Sequence, residues 1–379
     1  FLSGNVMTSR LNRNRLHRFG LTAKAIEQTD FLTSDDPWFR PVDVRLGPDG
    51  WIYIADFYNR IIGHYEVPLT HEGRDRFRGR IWRIGRIGAD SNLPDLSTLD
   101  NCVSTIQGGN PAVVSLALQR IAEIVDGLTD DVSGLKSQHA RAVETFKVSD
   151  DSWASLWAKF LISKRTGVSF DVLSAIAAGD DVTATHALKI LLIQLEENRG
   201  ADIDPKAIAA IRSAAFDASQ RPHACQTAFE LLARYGEATD AVRCLEEVVS
   251  MKTKDPVLYS ALRIALRRML IRDTIRHDVL AEWSGTNSCA EETKAADQET
   301  VANQEDANPL VDMHGELGKE LFAVLLALPN ESFPVKAVLG YLQRVQPATG
   351  LSNDMIQSVS RAIPAPGVGE FLCLIESLN

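Results

Sequence analysis

The chain has 379 residues, 45% of them apolar and 24% charged, with a formal net charge of −10. That is enough apolar material for two or three packed domains. No apolar run reaches the roughly 18 residues of a membrane-spanning helix, the five cysteines form no CxxC pair of the kind that holds zinc or haem, and the acidic balance argues against nucleic acid as a main partner.

The charge is uneven. Residues 1–86 carry 14 Lys+Arg against 10 Asp+Glu, and the remainder carries 26 against 40. This break in composition predicts a boundary near residue 90. The chain opens on Phe1 in a strand-like pattern, and it is expected to be a piece of a longer protein.

Residues 4–30 read as two or three strands, "GNVMTSRL" and "RLHRFGL" around a turn-like "NRN", with "AKAIEQTDFL" ambiguous by period. Residues 31–41 read as a loop. Val42, Val44 and Leu46 then alternate, so they are expected on one sheet face. In "GPDG" (Gly47 to Gly50) proline presets φ, aspartate caps the turn and glycine takes the left-handed position. Trp51 to Ala55 returns as a second strand, "RIIGHYEV" reads as a third, and "RGRIWRIG" from Arg78 as a fourth. Four short antiparallel strands in this span fit one propeller blade. A lone blade leaves faces and edges open and needs neighbours.

From about residue 95 the period becomes helical. Val114, Leu118, Ile121, Val125 and Leu128 form one stripe, Ala184, Leu188, Leu191 and Leu195 a second, and Leu258, Leu262, Ala265 and Met269 a third. Helix starts show as "GGNPAVV", "SDDSWASL", "GDDVTATHAL", "SQRPHACQTAFELL" and "TKDPVLYSALRIAL", with a capping residue or proline ahead of each stripe. They recur every 30 to 41 residues or so, roughly the spacing of HEAT-type helical pairs. Residues 285–309 are polar and acidic and read as a mobile insertion, after which four more helices follow. The expected fold is mixed and mainly α. The C-terminal part of a β-propeller (its last blade and part of the one before) fills 1–90. HEAT-like α-solenoid repeats fill 91–284, the insertion 285–309, and further helical repeats 310–379.

The stretch "DDPWFRPVDVRLGPDGWIYIADFYNRIIGHYEVPLTHEGRDRFRGRIWRI", residues 35–84, resembles the end of the propeller in a family of large membrane-bound dehydrogenase-type proteins of planctomycetes and verrucomicrobia. In that family a propeller similar to quinoprotein glucose or sorbosone dehydrogenases precedes HEAT-like helices and often a cytochrome c domain. The resemblance is strong over residues 4–86 and architectural over 95–379. It implies a periplasmic or membrane-associated parent that oxidises a sugar or alcohol, with pyrroloquinoline quinone, calcium and haem c. This chain departs from the family in lacking CxxCH. By sequence it carries no cofactor itself and is expected not to be catalytic alone. The alternative is a non-catalytic scaffold that binds carbohydrate or protein.

The candidate site residues lie around the second strand. Arg40 and Asp43 flank the first strand, and Asp56, Asn59, Arg60 and His64 follow the second, with Tyr58 beside them. In a binding role the arginines would grip the carboxylates of a quinone or an acidic sugar, and His64 would accept a proton. In a structural role Asp56 and Asn59 stitch the turn, and Arg40 pairs with Asp36 or Asp43. Six arginines at positions 74, 76, 78, 80, 83 and 86 either dock an acidic partner or protect an edge strand by charge. His186 and His223 read as packing or capping residues. No GxGxxG, Walker loop, GxSxG or HExxH occurs, so nucleotide-binding and common hydrolase readings lack support.

Overall fold

The first sheet is built from β1 (Leu2–Asn5), β2 (Arg10–Phe19) and β3 (Thr22–Thr33), in that order. The second holds β4 (Pro41–Leu46), β5 (Ile52–Asp56) and β6 (Arg80–Ile84), again in chain order and antiparallel. These come from a computed structural model, which describes residues 1–63, 66–88, 93–108, 110–127, 152–167, 170–217, 221–252, 255–284, 316–345 and 353–378.

Local chemistry sets the strand ends. The Asn5 side chain accepts hydrogen bonds from the backbone N–H groups of Met7 and Thr8, and Ser9 takes a left-handed φ of 53°, so the chain turns there and not at "NRN". Asn12 stays inside β2 because its amide donates to Asp30 and accepts from Asn5 across the strands. In the second sheet the turn forms as its residues dictate: Asp49 accepts from the Trp51 N–H, and Gly50 adopts φ 78°. The two sheets approach closely at Gly4, where any Cβ would lie 2.1 Å from the Pro41 carbonyl oxygen. A register shift between Pro41 and Asp43 leaves Val42 exposed, so Val42 does not share a buried face with Val44.

The helices among the described residues are α1 (Leu99–Ile106), α2 (Pro111–Asp126), α3 (Trp153–Thr166), α4 (Val172–Ala178), α5 (Asp181–Glu197), α6 (Pro205–Ala215), α7 (Pro222–Tyr235), α8 (Ala238–Met251), α9 (Pro256–Ile271), α10 (Asp273–Ser284), α11 (Glu316–Leu326), α12 (Val335–Val345), α13 (Asn353–Ala362) and α14 (Ala365–Leu378). Their starts carry the expected chemistry. Asn110 caps α2 with Pro111 in the first turn, Ser152 caps α3, and Asp255 caps α9 with Pro256 behind it. The apolar stripes become cores over their described residues: Val114, Ile121 and Val125 pack with Cys102 and Ile162, and Leu258, Leu262, Ala265 and Met269 are buried on α9, while Leu128 lies outside the described residues.

The expectation of a partial β-propeller running into an α-solenoid is corrected here. The chain is mainly helical with two small three-stranded sheets, neither closes, and no four-stranded blade occurs among the described residues. The reason lies after β5. The stretch expected as a third strand is loop over residues 60–63 and 66–67, with 64 and 65 outside the described residues. Arg74 ties this loop down by donating to the carbonyls of Gly63, Val67 and Pro68. Those carbonyls are therefore satisfied without a strand partner, and β6 pairs directly with β5. The expected insertion at 285–309 also lies outside the described residues.

The chain divides into two compact units. One comprises Phe1–Phe19 and Ala23–Ile193, the other Gly20–Thr22 and Gln194–Asn379. In the second, α7 packs on α6 and α9, and α8 on α9, α10 and α11. Glu320 of α11 is buried there, accepting from the Tyr259 hydroxyl at 2.9 Å and from Lys252 at 2.9 Å, with Arg263 at 3.5 Å.

Candidate binding site

Asp56 ends β5 with a fully buried carboxylate. One oxygen accepts from the backbone N–H groups of Arg40 (2.8 Å) and Tyr58 (2.9 Å). The other accepts from Arg80 Nε (2.8 Å) and Trp82 Nε1 (3.0 Å). Burial opposes its charge, yet the Arg40 N–H, the Trp82 indole, the Tyr58 N–H and the Arg80 guanidinium outweigh it and hold the carboxyl below its ordinary value. Arg80 also reaches Asp36 at 3.2 Å and lies 3.6 Å above the Tyr58 ring. Tyr58 itself has a left-handed φ of 45°, which Asp56 fixes by accepting its N–H.

The other sequence candidates fall into place around this hub. Arg40 donates to the carbonyls of Val6 (2.6 Å), Asn59 (3.0 Å) and Arg60 (3.3 Å), so it joins β4 to the turn after β1. Asn59 is buried, donating to the Asp75 carbonyl at 2.7 Å and accepting from the Ile61 N–H. Asp43 is exposed and pairs with Arg45 at 2.9 Å, away from the hub. Arg60 is exposed and, among the described residues, enters through its carbonyl. His64 lies outside the described residues. Of the arginine run, Arg78 pairs with Asp75, Arg80 with Asp56 and Asp36, and Arg83 with Asp49, while Arg74 and Arg76 hold loop carbonyls.

Beside the hub is a cavity of about 240 Å³. Ile54, Phe39, Trp82, Ile84 and Leu32 wall it, with Thr33 and Ser34 at its polar end. Phe39 meets Trp82 edge-on at 6.5 Å. Trp82 and Ile84 of β6 line the cavity, and among the described residues β6 is paired on one side only, with β5. Ile81 is 76% exposed and Trp82 43%. Sequence reasoning passed over these apolar residues; the β-branched and aromatic content of "RIWRI" was their signal.

Of the candidate residues described, Arg40 and Asp56 are not free to hold the cofactors that the resemblance implies. The Arg40 donors are engaged by carbonyls, and Asp56 is filled by four donors. Among the described residues no three His, Cys, Asp or Glu side chains converge as a metal site. Cys102, Cys225 and Cys244 are buried, and burial pushes the Cys102 and Cys244 thiols up, away from nucleophilic chemistry. No helix among the described residues is long and apolar enough to cross a membrane.

A family model described as "Domain of unknown function (DUF7133)" matches residues 3–87, which span both sheets and the cavity. No curated protein and no solved structure matches the chain.

Proposed function

We propose that the first unit is a non-catalytic binding element that takes an extended segment of a partner protein along β6. The observation that carries this reading is the open edge of β6 with the apolar cavity beside it. An edge strand offers unpaired N–H and C=O groups, and an added strand satisfies them. Side chains of the added strand alternate with period two, so every second one faces the cavity between Phe39 and Trp82. The polar residues nearby are engaged in holding the turn, which leaves them little capacity for acid–base work.

The sequence resemblance of residues 35–84 favours a wider setting for this element. In it, the element belongs to a periplasmic or membrane-associated dehydrogenase of sugars or alcohols, whose quinone, calcium and haem c sit outside the residues described here.

The test is an arrayed library of short synthetic peptides screened against the chain. Peptides with alternating apolar residues should bind, and Trp82→Ala or Ile81→Lys should weaken them by about tenfold. Absence of any peptide dependent on both positions overturns the reading, and binding of soluble oligosaccharides in its place replaces protein by carbohydrate as the ligand. Dye reduction by the chain with added quinone, calcium and a panel of sugars, lost in Arg40→Ala, would establish catalysis and overturn it as well.

A further inference from the structure

The second unit carries an unfilled seam on α9. This helix buries Leu258, Leu262, Leu266 and Met269, yet its outward side carries aliphatic residues among the polar ones. Val257, Ile264 and Ile271 are 42%, 54% and 36% exposed, and they stand seven residues apart. Single exposed aliphatics are ordinary, but three in heptad register form a straight line that a second helix can follow. The small residues Ser260 and Ala261 lie between the first two.

The surface beside this line is grooved on both flanks. A depression of about 230 Å³ lies toward α7, against Glu230 and Ala233. Another of about 290 Å³ lies toward α11, against Val324 and Ala327. Ile264 borders both and forms the ridge between them. A ridge flanked by two grooves is the shape that the side-chain rows of a packed helix match.

Charge selects the occupant. Arg263, Arg267 and Arg268 line the grooves. Arg263 is balanced by Glu320. Arg267 donates to the Ala327 carbonyl and pairs with no carboxylate among the described residues. Arg268 is exposed and pairs with no carboxylate among the described residues. Glu230 across the groove is itself paired with Arg234.

We infer that this face is a docking site for an amphipathic helix of a partner protein, with an aliphatic heptad stripe toward Ile264 and Asp or Glu on its flanks. The proposal is independent of the β6 site, since it uses none of the same residues.

The test uses the full chain and two synthetic peptides of about three heptads, both with leucine stripes, one flanked by glutamate and one by lysine. Fluorescence anisotropy should show the glutamate peptide binding about tenfold more tightly than the lysine peptide, with the difference shrinking at high salt. Ile264→Asp and Arg268→Glu should each weaken the glutamate peptide by about tenfold, while Leu116→Asp, at an exposed position of the other unit, leaves it unchanged. Circular dichroism checks that each variant is folded. Equal binding of the two peptides, or indifference to Ile264→Asp, overturns the inference. So does a dimer in sedimentation velocity that Ile264→Asp dissolves, since the occupant is then a second copy of the chain.

Discussion

At the residue scale, Asp56 shows how a candidate binding residue becomes a structural one. Its carboxylate meets four donors from three segments of the chain, and each would lose a partner without it. Asp56→Asn keeps the shape but replaces one acceptor oxygen by a donor facing Arg80 or the backbone. The expected loss is about 2 kcal/mol, the usual worth of hydrogen bonds to a buried charge. Because the folded carboxyl titrates below its unfolded value, its contribution is present above about pH 3.9 and is lost as pH falls through the lower folded value. Urea titrations of the parent and Asp56→Asn should therefore differ clearly at neutral pH and converge in strong acid. A gap that persists unchanged in acid would show that the ionised carboxylate is not what stabilises the turn.

At the scale of elements, the helices and the β4–β5 hairpin around Gly47 to Gly50 were legible, and the remaining strand pairing was not. Asn110, Ser152 and Asp255 cap where sequence placed them, because a cap is a contact between residues two or three apart. Strands depend on distant partners. "NRN" has turn composition, yet Asn12 is held in β2 by Asp30, 18 positions away. "RIIGHYEV" has strand composition, yet Arg74 claims the neighbouring carbonyls for a loop. The site was half legible for the same reason: Arg40, Asp56 and Asn59 do cluster, but most of their partners are backbone groups, and the Arg80 and Trp82 side chains that complete Asp56 lie 24 and 26 positions away. Gly4 gives a test of sheet placement. An alanine there would push its Cβ into the Pro41 carbonyl, which belongs to backbone and cannot swing aside. Gly4→Ala should cost about 1–3 kcal/mol, whereas Gly63→Ala, where a Cβ meets nothing within 4 Å, should shift stability by less than about 0.5 kcal/mol in the same denaturant assay. Equal effects at the two positions would mean the sheets do not approach at Gly4.

At the scale of the whole molecule, two compact units predict two separable unfolding transitions. Five of the six tryptophans (Trp38, Trp51, Trp82, Trp153 and Trp157) lie in the first unit, so indole fluorescence follows mainly that unit and far-ultraviolet circular dichroism follows both. The first unit also holds an acid-sensitive contact. His186 on α5 stacks on Trp153 at 5.0 Å, and its Nδ1 accepts the Trp157 indole N–H at 2.8 Å. Burial, with Lys189 on the same helix, pushes the His186 imidazole below its ordinary value. Only the neutral ring can accept at Nδ1. The stabilisation is therefore complete above about pH 6.5, the unfolded value, and is lost as pH falls from there through the lower folded value. Lowering the pH from about 7.5 to about 5.5 should move the fluorescence-detected melt down. His186→Gln, which keeps an acceptor for Trp157 but has no proton to gain, should flatten that response. In the second unit Glu320→Gln should lower the transition seen by circular dichroism alone, because Lys252 and Arg263 lose their shared counter-charge. If Glu320→Gln and acidification moved one common transition by both probes, the chain would unfold as a single cooperative body, and the two units would be divisions of packing without independent stability.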